Sequence, residues 1–151
     1  MSSMPIRPAT IKDASQITAL LHQLGYPDTE QAVNRRLEML GGKTDTIILV
    51  AEDDDRQLTG CLQVVIANRL AEGQYGEIAS LVVAEDQRGR GVGRQLVDSA
   101  ADWLNGHGQS RMRVRCNAIR KQTHRFYAHL GFRETKSQKI FDRDLPGPGI
   151  S

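Results

Sequence analysis

A turn rich in glycine and arginine is the strongest chemical signal in this sequence. Residues 87–94 read QRGRGVGR and stand between an apolar run and an amphipathic stretch. Glycine lets a ligand come close to the backbone, and the first amides of a helix lack acceptors within that helix. The helix dipole and the side chains of Arg88, Arg90 and Arg94 add positive potential. The turn therefore predicts a phosphate or diphosphate site; the alternative is a plain strand-to-helix connection whose arginines serve solubility.

The spacing of this turn excludes two common phosphate-binding motifs. A dinucleotide-binding G-x-G-x-x-G motif that starts at Gly89 needs glycine where Arg94 stands. The same motif started at Gly91 fails at Leu96. A P-loop from Gly89 needs Gly-Lys at positions 94 and 95, where the chain has Arg-Gln. The pattern that does fit is R-x-x-G-x-G over residues 88–93.

Hydrophobic periodicity predicts the elements that would position this turn. The first helix begins at a capping box of Thr10 and Asp13, and the second is capped by Asp28. Predicted helices cover residues 10–24, 28–40, 92–103 and 121–130. Predicted strands cover residues 46–52, 58–66, 75–83, 111–117 and 136–145, with a further short strand at 132–134. The order β-α-α-β-β-β-α-β-α-β predicts a mixed sheet with helices on both faces.

The composition is that of an ordinary soluble domain. The 151 residues carry a net charge of only +2, which argues against a nucleic-acid binder. We expect residues 1–145 to form one domain and residues 146–151, rich in Pro and Gly, to be a flexible tail. No apolar run approaches the roughly 18 residues that cross a bilayer, so no membrane partner is expected. Cys61 and Cys116 lack metal-ligand spacing, which predicts no metal site and a cytoplasmic location.

Three segments together resemble the GNAT superfamily of N-acetyltransferases. Residues 78–83, IASLVV, are similar to its central strand, and residues 88–96 to its acyl-CoA diphosphate loop and helix. Asn117 followed by residues 124–132, HRFYAHLGF, resembles the strand-helix-turn that closes its cofactor site. Residues 6–9, IRPA, followed by an early helix pair, are also similar to the start of that family.

The resemblance implies a fold and an activity. The fold would be α/β, of the α+β type, with a mixed and mostly antiparallel central sheet of six to seven strands and helices on both faces. The activity would be direct transfer of an acetyl group from acetyl-CoA, as co-substrate, to a primary amine of a small molecule or protein, without a metal. A non-catalytic acyl-CoA-binding or regulatory module of the same fold is the rival interpretation. A homodimer paired through the final strand is also open, because unpaired edges invite pairing.

The resemblance further implies the residues that bind the cofactor. The turn would hold the diphosphate, while the backbone after a bulge in the central strand would run along the pantetheine. A free amide near Val82 or Val83 would stabilise the oxyanion. The expected cofactor-binding set is Leu81, Val82, Val83, Arg88, Gly89, Arg90, Gly91, Val92, Gly93, Arg94, Asn117 and His124. The alternatives are a turn residue for Asn117, an exposed or structural histidine for His124 and plain core packing for the three strand side chains.

Two residues are candidates for proton transfer. Tyr127 matches the family's acid tyrosine, and a phenol with a pKa of about 10 is protonated at neutral pH. Many relatives carry an acid where this chain has Ala79, so Glu77, on the same side of a regular strand, is the candidate base. The alternatives are aromatic packing of Tyr127 beside Phe126 and a solvated carboxylate for Glu77.

Three other features have a chemical and a structural interpretation. Arg113 and Arg115 share a predicted strand face and would bind an acidic substrate group or stay solvated. The acidic run at residues 53–55 suggests a metal, although a polar hairpin turn is favoured. Trp103, on the helix behind the turn, is expected to lie in the core.

Overall fold

The computed structural model describes residues 5–115 and 121–147, which belong to two units, residues 1–114 and residues 115–151. The first unit contains one sheet with strands in the order β1-β2-β3-β4-β5. These strands are β1 (Ile6–Pro8), β2 (Thr46–Glu52), β3 (Leu58–Arg69), β4 (Gly73–Val83) and β5 (Met112–Val114). All neighbours pair antiparallel except β4 and β5, which are parallel. The mixed sheet is confirmed, with five strands in the described residues rather than the predicted six to seven.

Helices cover both faces of this sheet, as predicted. They are α1 (Ala14–Gln23), α2 (Glu30–Leu40) and α3 (Val92–Gly106), with short 3₁₀ turns at Ile11–Asp13 and Glu85–Gln87. Ile17 of α1 and Leu37 of α2 share one buried cluster with Val82 of β4. On the opposite face, a Cβ added at Gly60 would lie 2.8 Å from Leu96 of α3, so α3 packs directly on β3. No helix in the described ranges is long and apolar enough to cross a membrane.

The predicted capping box of Thr10 and Asp13 is confirmed on the 3₁₀ turn that leads into α1, and the predicted cap of α2 is corrected. The Asp13 carboxylate accepts the N–H of Thr10 at 2.8 Å, which completes the capping box. For α2 the cap is Thr29, whose hydroxyl accepts the N–H of Ala32 at 3.1 Å. Asp28 pairs instead with Arg36 at 2.9 Å. The prediction of Asp28 was wrong because a carboxylate and a hydroxyl are both good caps, and the sequence offers them side by side.

An ion-pair network ties the start of α1 to the sheet. The Arg7 guanidinium donates to Asp13 and to Glu52, each at 2.9 Å. Only 6% of the Asp13 side chain is exposed. The hydrogen bonds from Arg7 hold the pKa of Asp13 below its ordinary value, because they favour the charged carboxylate.

The second unit contains α4 (Lys121–His129) and an irregular segment after it. The helix is confirmed, but residues 132–147 contain no strand, so the predictions for 132–134 and 136–145 were wrong. A strand needs a neighbouring ladder for its N–H and C=O groups, and this segment has none in the described residues. Its apolar side chains Ile140, Phe141 and Leu145 are 80%, 87% and 74% exposed.

Candidate functional site

The glycine turn has the geometry of a ligand-binding loop. After the 3₁₀ turn, Arg88 is extended, with φ −66° and ψ 143°. Gly89 has φ +81° and Gly91 has φ +83°. This left-handed conformation is costly for residues with a Cβ, so both positions require glycine. The turn lies between β4 and α3, as the sequence predicted.

The N-terminus of α3 offers donors and positive charge. Its cap is Gly91, which has no side chain, and the first turn of the helix contains no acidic residue. The N–H of Gln95 donates to the carbonyl of Gly91 at 3.0 Å, and the three amides before it precede the helical hydrogen bonds. The residues Arg88, Arg90 and Arg94 are all exposed. Backbone donors, a helix dipole and three guanidinium groups thus meet in one turn, which fits a diphosphate.

Two buried oxygens flank the turn without a hydrogen-bond donor. They are Oε1 of Gln87, at the start of the turn, and Oε1 of Gln95, one helical turn after Gly91. Neither has a partner in the part of the chain that the structure describes. An unsatisfied buried acceptor costs about 1–3 kcal/mol, and a diphosphate, which itself only accepts hydrogen bonds, does not satisfy either oxygen.

A β-bulge interrupts β4 shortly before the turn. Ile78 pairs with Val64 and Ser80 pairs with Gln63, which leaves Ala79 as an extra residue. The expectation that Glu77 and Ala79 face the same side assumed a regular strand, and the bulge removes that premise. The resemblance implied a bulge in this strand, and the structure gives its position.

The strands β4 and β5 pair only ahead of this bulge. Their ladder runs from Gly76 opposite Met112 to Ile78 opposite Val114. Farther along β4, the N–H of Ala84 donates across the sheet to the carbonyl of Thr59 at 2.9 Å. Backbone groups alternate along a strand, so the N–H groups of Leu81 and Val83 point to the other edge.

That edge of β4, over residues 79–83, pairs with no strand in the described part of the chain, and we call it the open edge. Its donors are therefore the amides of Leu81 and Val83. The amide of Val82 faces β3, and its side chain is 3% exposed in the core. The 3₁₀ turn Glu85–Gln87 separates the open edge from the glycine turn, so the two are successive groups of main-chain donors along the chain.

The candidate acid and base lie in different units. Glu77 is a partly exposed residue of β4, opposite Val65 of β3. Tyr127 is 8% exposed in α4, and its ring contacts Phe126 at 5.0 Å and Phe132 at 5.4 Å between ring centres. The packing interpretation of Tyr127 is therefore observed, while its acid role stays a prediction. His124 is exposed on α4, and Asn117 lies outside the described residues.

A cluster around Tyr75 is a feature that sequence reasoning missed. Tyr75 is fully buried, with the Arg111 and Arg113 guanidinium groups 4.8 and 4.5 Å from its ring centre. Arg113 also donates to the Tyr75 hydroxyl at 3.2 Å and to Glu72 at 2.6 Å. The hydrogen bond to Glu72 raises the pKa of Arg113. Arg113 is thus a structural residue of the β4–β5 pair, and its separation of 41 positions from Glu72 hid this from the sequence.

The acidic run at residues 53–55 is a hairpin turn. The Asp53 carboxylate accepts the N–H groups of Asp55 and Gln57, both at 2.9 Å. No group of three or more His, Cys, Asp or Glu residues suited to a metal ion occurs within residues 5–115 and 121–147. Arg115, the other arginine of the predicted face, donates to Gln138 at 2.9 Å.

Comparison with known proteins gives the family. The model of the acetyltransferase (GNAT) family matches residues 13–132. A rice protein, glucosamine 6-phosphate N-acetyltransferase 1, is 31% identical over an alignment of 140 residues that covers 88% of this chain and 83% of the rice protein.

Solved structures agree on the fold. Glucosamine-6-phosphate N-acetyltransferase from Arabidopsis thaliana superposes with a TM-score of 0.81 at 23% identity, covering 95% of this chain and 100% of that one. The aminoglycoside acetyltransferase AAC(6')-Iy, in complex with a CoA bisubstrate analogue, gives 0.84 at 20% identity, with the same coverage of both chains. At these identities the two structures support the fold alone. The family match and the rice relative go further: this chain belongs to the GNAT family of acetyltransferases.

Proposed function

We propose that this acetyltransferase binds acetyl-CoA with its diphosphate on residues 88–94 and its pantetheine along the open edge of β4. The observation that carries the proposal is that these two features follow one another along the chain, separated only by the 3₁₀ turn Glu85–Gln87. The ladder between β4 and β5 stops at Ile78, the bulge follows at Ala79, and the glycine turn begins five residues after Val83. Main-chain donors and guanidinium groups thus follow one another in the order that pantetheine and diphosphate require.

Three parts of the chain would then each assist one step of acetyl transfer. Acetyl-CoA supplies the activated acyl group as a thioester. The amide of Val83 or Leu81, fixed in the sheet, would donate to the carbonyl oxygen as negative charge develops there. Glu77, directly or through water, would take a proton from the acceptor amine. As the C–N bond forms and the C–S bond breaks, Tyr127 would give its phenolic proton to the departing sulfur.

For the acceptor we propose a primary amine on a small molecule, with amino sugars as the first class to test. The rice relative is named for glucosamine 6-phosphate, and the AAC(6') structure for an aminoglycoside. Arg113 does not serve as the phosphate-binding group in this proposal, because Glu72 and Tyr75 already hold its guanidinium. A protein amine is the second acceptor class.

Acetyl transfer to a panel of amines, together with calorimetric titration of CoA, tests the proposal. Wild type should bind CoA and acetylate at least one amino sugar, with no loss of rate in EDTA because no metal is proposed. Tyr127→Phe should lower kcat about 10²-fold while the Kd of CoA stays unchanged. Tyr26→Phe, at a residue 55% exposed between α1 and α2, is the matched control and should keep full activity.

Two outcomes would contradict the proposal in different ways. Absence of CoA binding would remove the assignment of the turn and of the open edge. Tight CoA binding without transfer to any amine would instead favour the non-catalytic binding module.

We also propose a homodimer through the irregular segment of residues 132–147. Three large apolar side chains, Ile140, Phe141 and Leu145, are exposed there, and contiguous apolar surface is typical of an interface. Phe141→Ser should shift the mass measured by light scattering from dimer to monomer. A monomeric wild type would contradict this part of the proposal.

A further inference from the structure

A cavity lies in the first unit, away from the glycine turn and the open edge. It has a volume of about 300 Å³, at the lower end of the range for small-molecule sites. It is bounded by the C-terminal ends of α2 and α3, the connection between α2 and β2, and the edge of β2. Its lining is Pro8, Ala9, Leu37, Leu40, Gly41, Lys43, Thr44, Thr46, Ile47, Ile48, Trp103 and His107.

This cavity is separate from the proposed acyl-CoA site. His107 follows Val92 by 15 residues, which places it roughly 20 Å along α3 from the glycine turn. In the sheet, the cavity borders the edge at β1 and β2, whereas the open edge belongs to β4. No residue of the turn or of the open edge lines it.

The polar groups of the cavity favour an anion. Lys43 is its one lysine or arginine, and no Asp or Glu lines it. Lys43 forms no ion pair within the described residues. The N–H of Ala9 donates to the carbonyl of Ile48 at 2.8 Å, so by alternation the backbone of Thr46 faces the same edge beyond the end of β1. A lysine and an edge amide thus lie beside one opening.

The rest of the lining is mixed, with the polar Thr44 beside apolar side chains and a pair of aromatic rings. Trp103 and His107 have ring centres 4.2 Å apart and are tilted by 34°. The Nδ1–H of His107 donates to the carbonyl of Trp103 at 2.8 Å, which fixes the pair on the helix. The Trp103 ring gives a planar group a rigid surface to lie against, and Leu37, Leu40 and Pro8 also line the cavity.

We propose that this cavity binds a small organic anion with a flat apolar body, an aromatic monocarboxylate being the simplest member of the class. The carboxylate accepts from the Lys43 ammonium and from the Thr46 amide, and the ring packs against Trp103. The expected affinity is modest, on the order of 1 mM for benzoate, because the cavity is small and only a few groups are polar.

The chain carries its own reporter for this site, because Trp103 is its only tryptophan. Full-length protein is titrated with benzoate while tryptophan fluorescence is recorded, and benzylamine of matched shape and opposite charge serves as the comparison ligand. Benzoate should change the signal saturably and benzylamine should not. Lys43→Gln should weaken benzoate about tenfold, whereas Lys12→Gln, at an exposed lysine outside the cavity, should leave its Kd unchanged. Saturating CoA should not displace benzoate.

Several results would overturn the proposal. These are a linear response to benzoate, an equal response to benzylamine, an unchanged Kd in Lys43→Gln, or displacement of benzoate by CoA. Chemical-shift changes in ¹⁵N spectra confined to residues 8–9, 41–48 and 103–107 would support it independently of the fluorescence. None of these readouts depends on acetyl transfer, so the test stands whether or not the proposed function does.

Discussion

The two halves of β4 have the same neighbour on one side and different surroundings on the other. From Gly76 to Ile78 the strand pairs with both β3 and β5, and the neighbouring Tyr75 is completely buried. From Ser80 to Val83 it pairs with β3 alone. The bulge at Ala79 separates the halves.

The difference shows how one strand can serve both stability and binding. In its second half, side chains and backbone donors point in different directions, so Val82 fills the core while Val83 offers an amide to the open edge. The second half of β4 lacks a ladder with β5, yet the Val82 side chain there remains packed in the core. In the proposed binding mode, acetyl-CoA uses the half of β4 that β5 leaves unpaired, while the half that pairs with β5 contributes to stability.

The sharpest test of this comparison is proline at two adjacent positions. Val83→Pro removes an amide that faces the open edge, so the fold should persist while kcat/KM falls about 10²–10³-fold through loss of a main-chain donor. Val82→Pro removes an amide that faces β3 and should cost about 3 kcal/mol of unfolding free energy. Urea denaturation and acetyl transfer assays measure the two effects. Equal destabilisation by both prolines would show that the two edges do not differ.

The part of β4 that pairs with both β3 and β5 should have no room for a side chain larger than that of Gly76. A Cβ at Gly76 would overlap Leu104 of α3, so Gly76→Ala should lower the unfolding free energy by about 2–3 kcal/mol through overpacking. Gly106→Ala is the control, because its Cβ would meet no atom within 4 Å. That substitution should be neutral or slightly stabilising. An unchanged denaturation midpoint for Gly76→Ala would contradict the close packing of α3 on this half.

Acid stability should depend on a region remote from β4. Because the pKa of Asp13 is lowered in the folded state, its contribution is present above the unfolded value of about 3.9 and is lost as the pH falls through the folded value. Asp13→Asn should reduce stability by about 2 kcal/mol at pH 7 and flatten its fall below pH 4. Asp54→Asn, at an exposed turn position, should do neither. Thermal melts between pH 2 and 7 are the measurement, and an unaltered acid limb in Asp13→Asn would refute the assignment.

The smallest expected effect separates backbone strain from ligand contact. Gly91→Ala and Gly25→Ala both place a Cβ at a positive φ, +83° and +86°, with no atom within 4 Å. Each should cost about 1 kcal/mol of stability. Only Gly91→Ala should also raise the Kd of CoA, about tenfold, since only that Cβ would meet the diphosphate. Equal CoA affinity in the two variants would argue against the turn as the binding site.

Local patterns predicted most of the first unit. The strand at residues 46–52, the start of α3 at Val92 and the glycine turn were read correctly, because each depends on near neighbours in the sequence. The resemblance implied a bulge in β4 but not its position. Nothing in the type of residue at Ala79 marks that position as the bulge. Its position appears only in the pairing with Gln63 and Val64.

Long-range contacts explain what the sequence could not supply. Arg113 looked like a solvent or substrate residue until Glu72 and Tyr75 were found beside it. Trp103 was expected in the core, yet it lines a cavity whose other wall comes from α2. The predicted strand at residues 136–145 has strand-like composition, but composition does not provide a partner ladder.

The outward amides of Leu81 and Val83 have a consequence for how this protein could diverge. A hydrogen bond from a peptide N–H does not depend on which side chain its residue carries. In the proposed binding mode, substitutions at these two positions would reshape the neighbourhood of the acyl group while the main-chain hydrogen bonds to the pantetheine are kept. Variation in acyl length would then be sought first at Leu81 and Val83, in relatives and in engineered libraries alike.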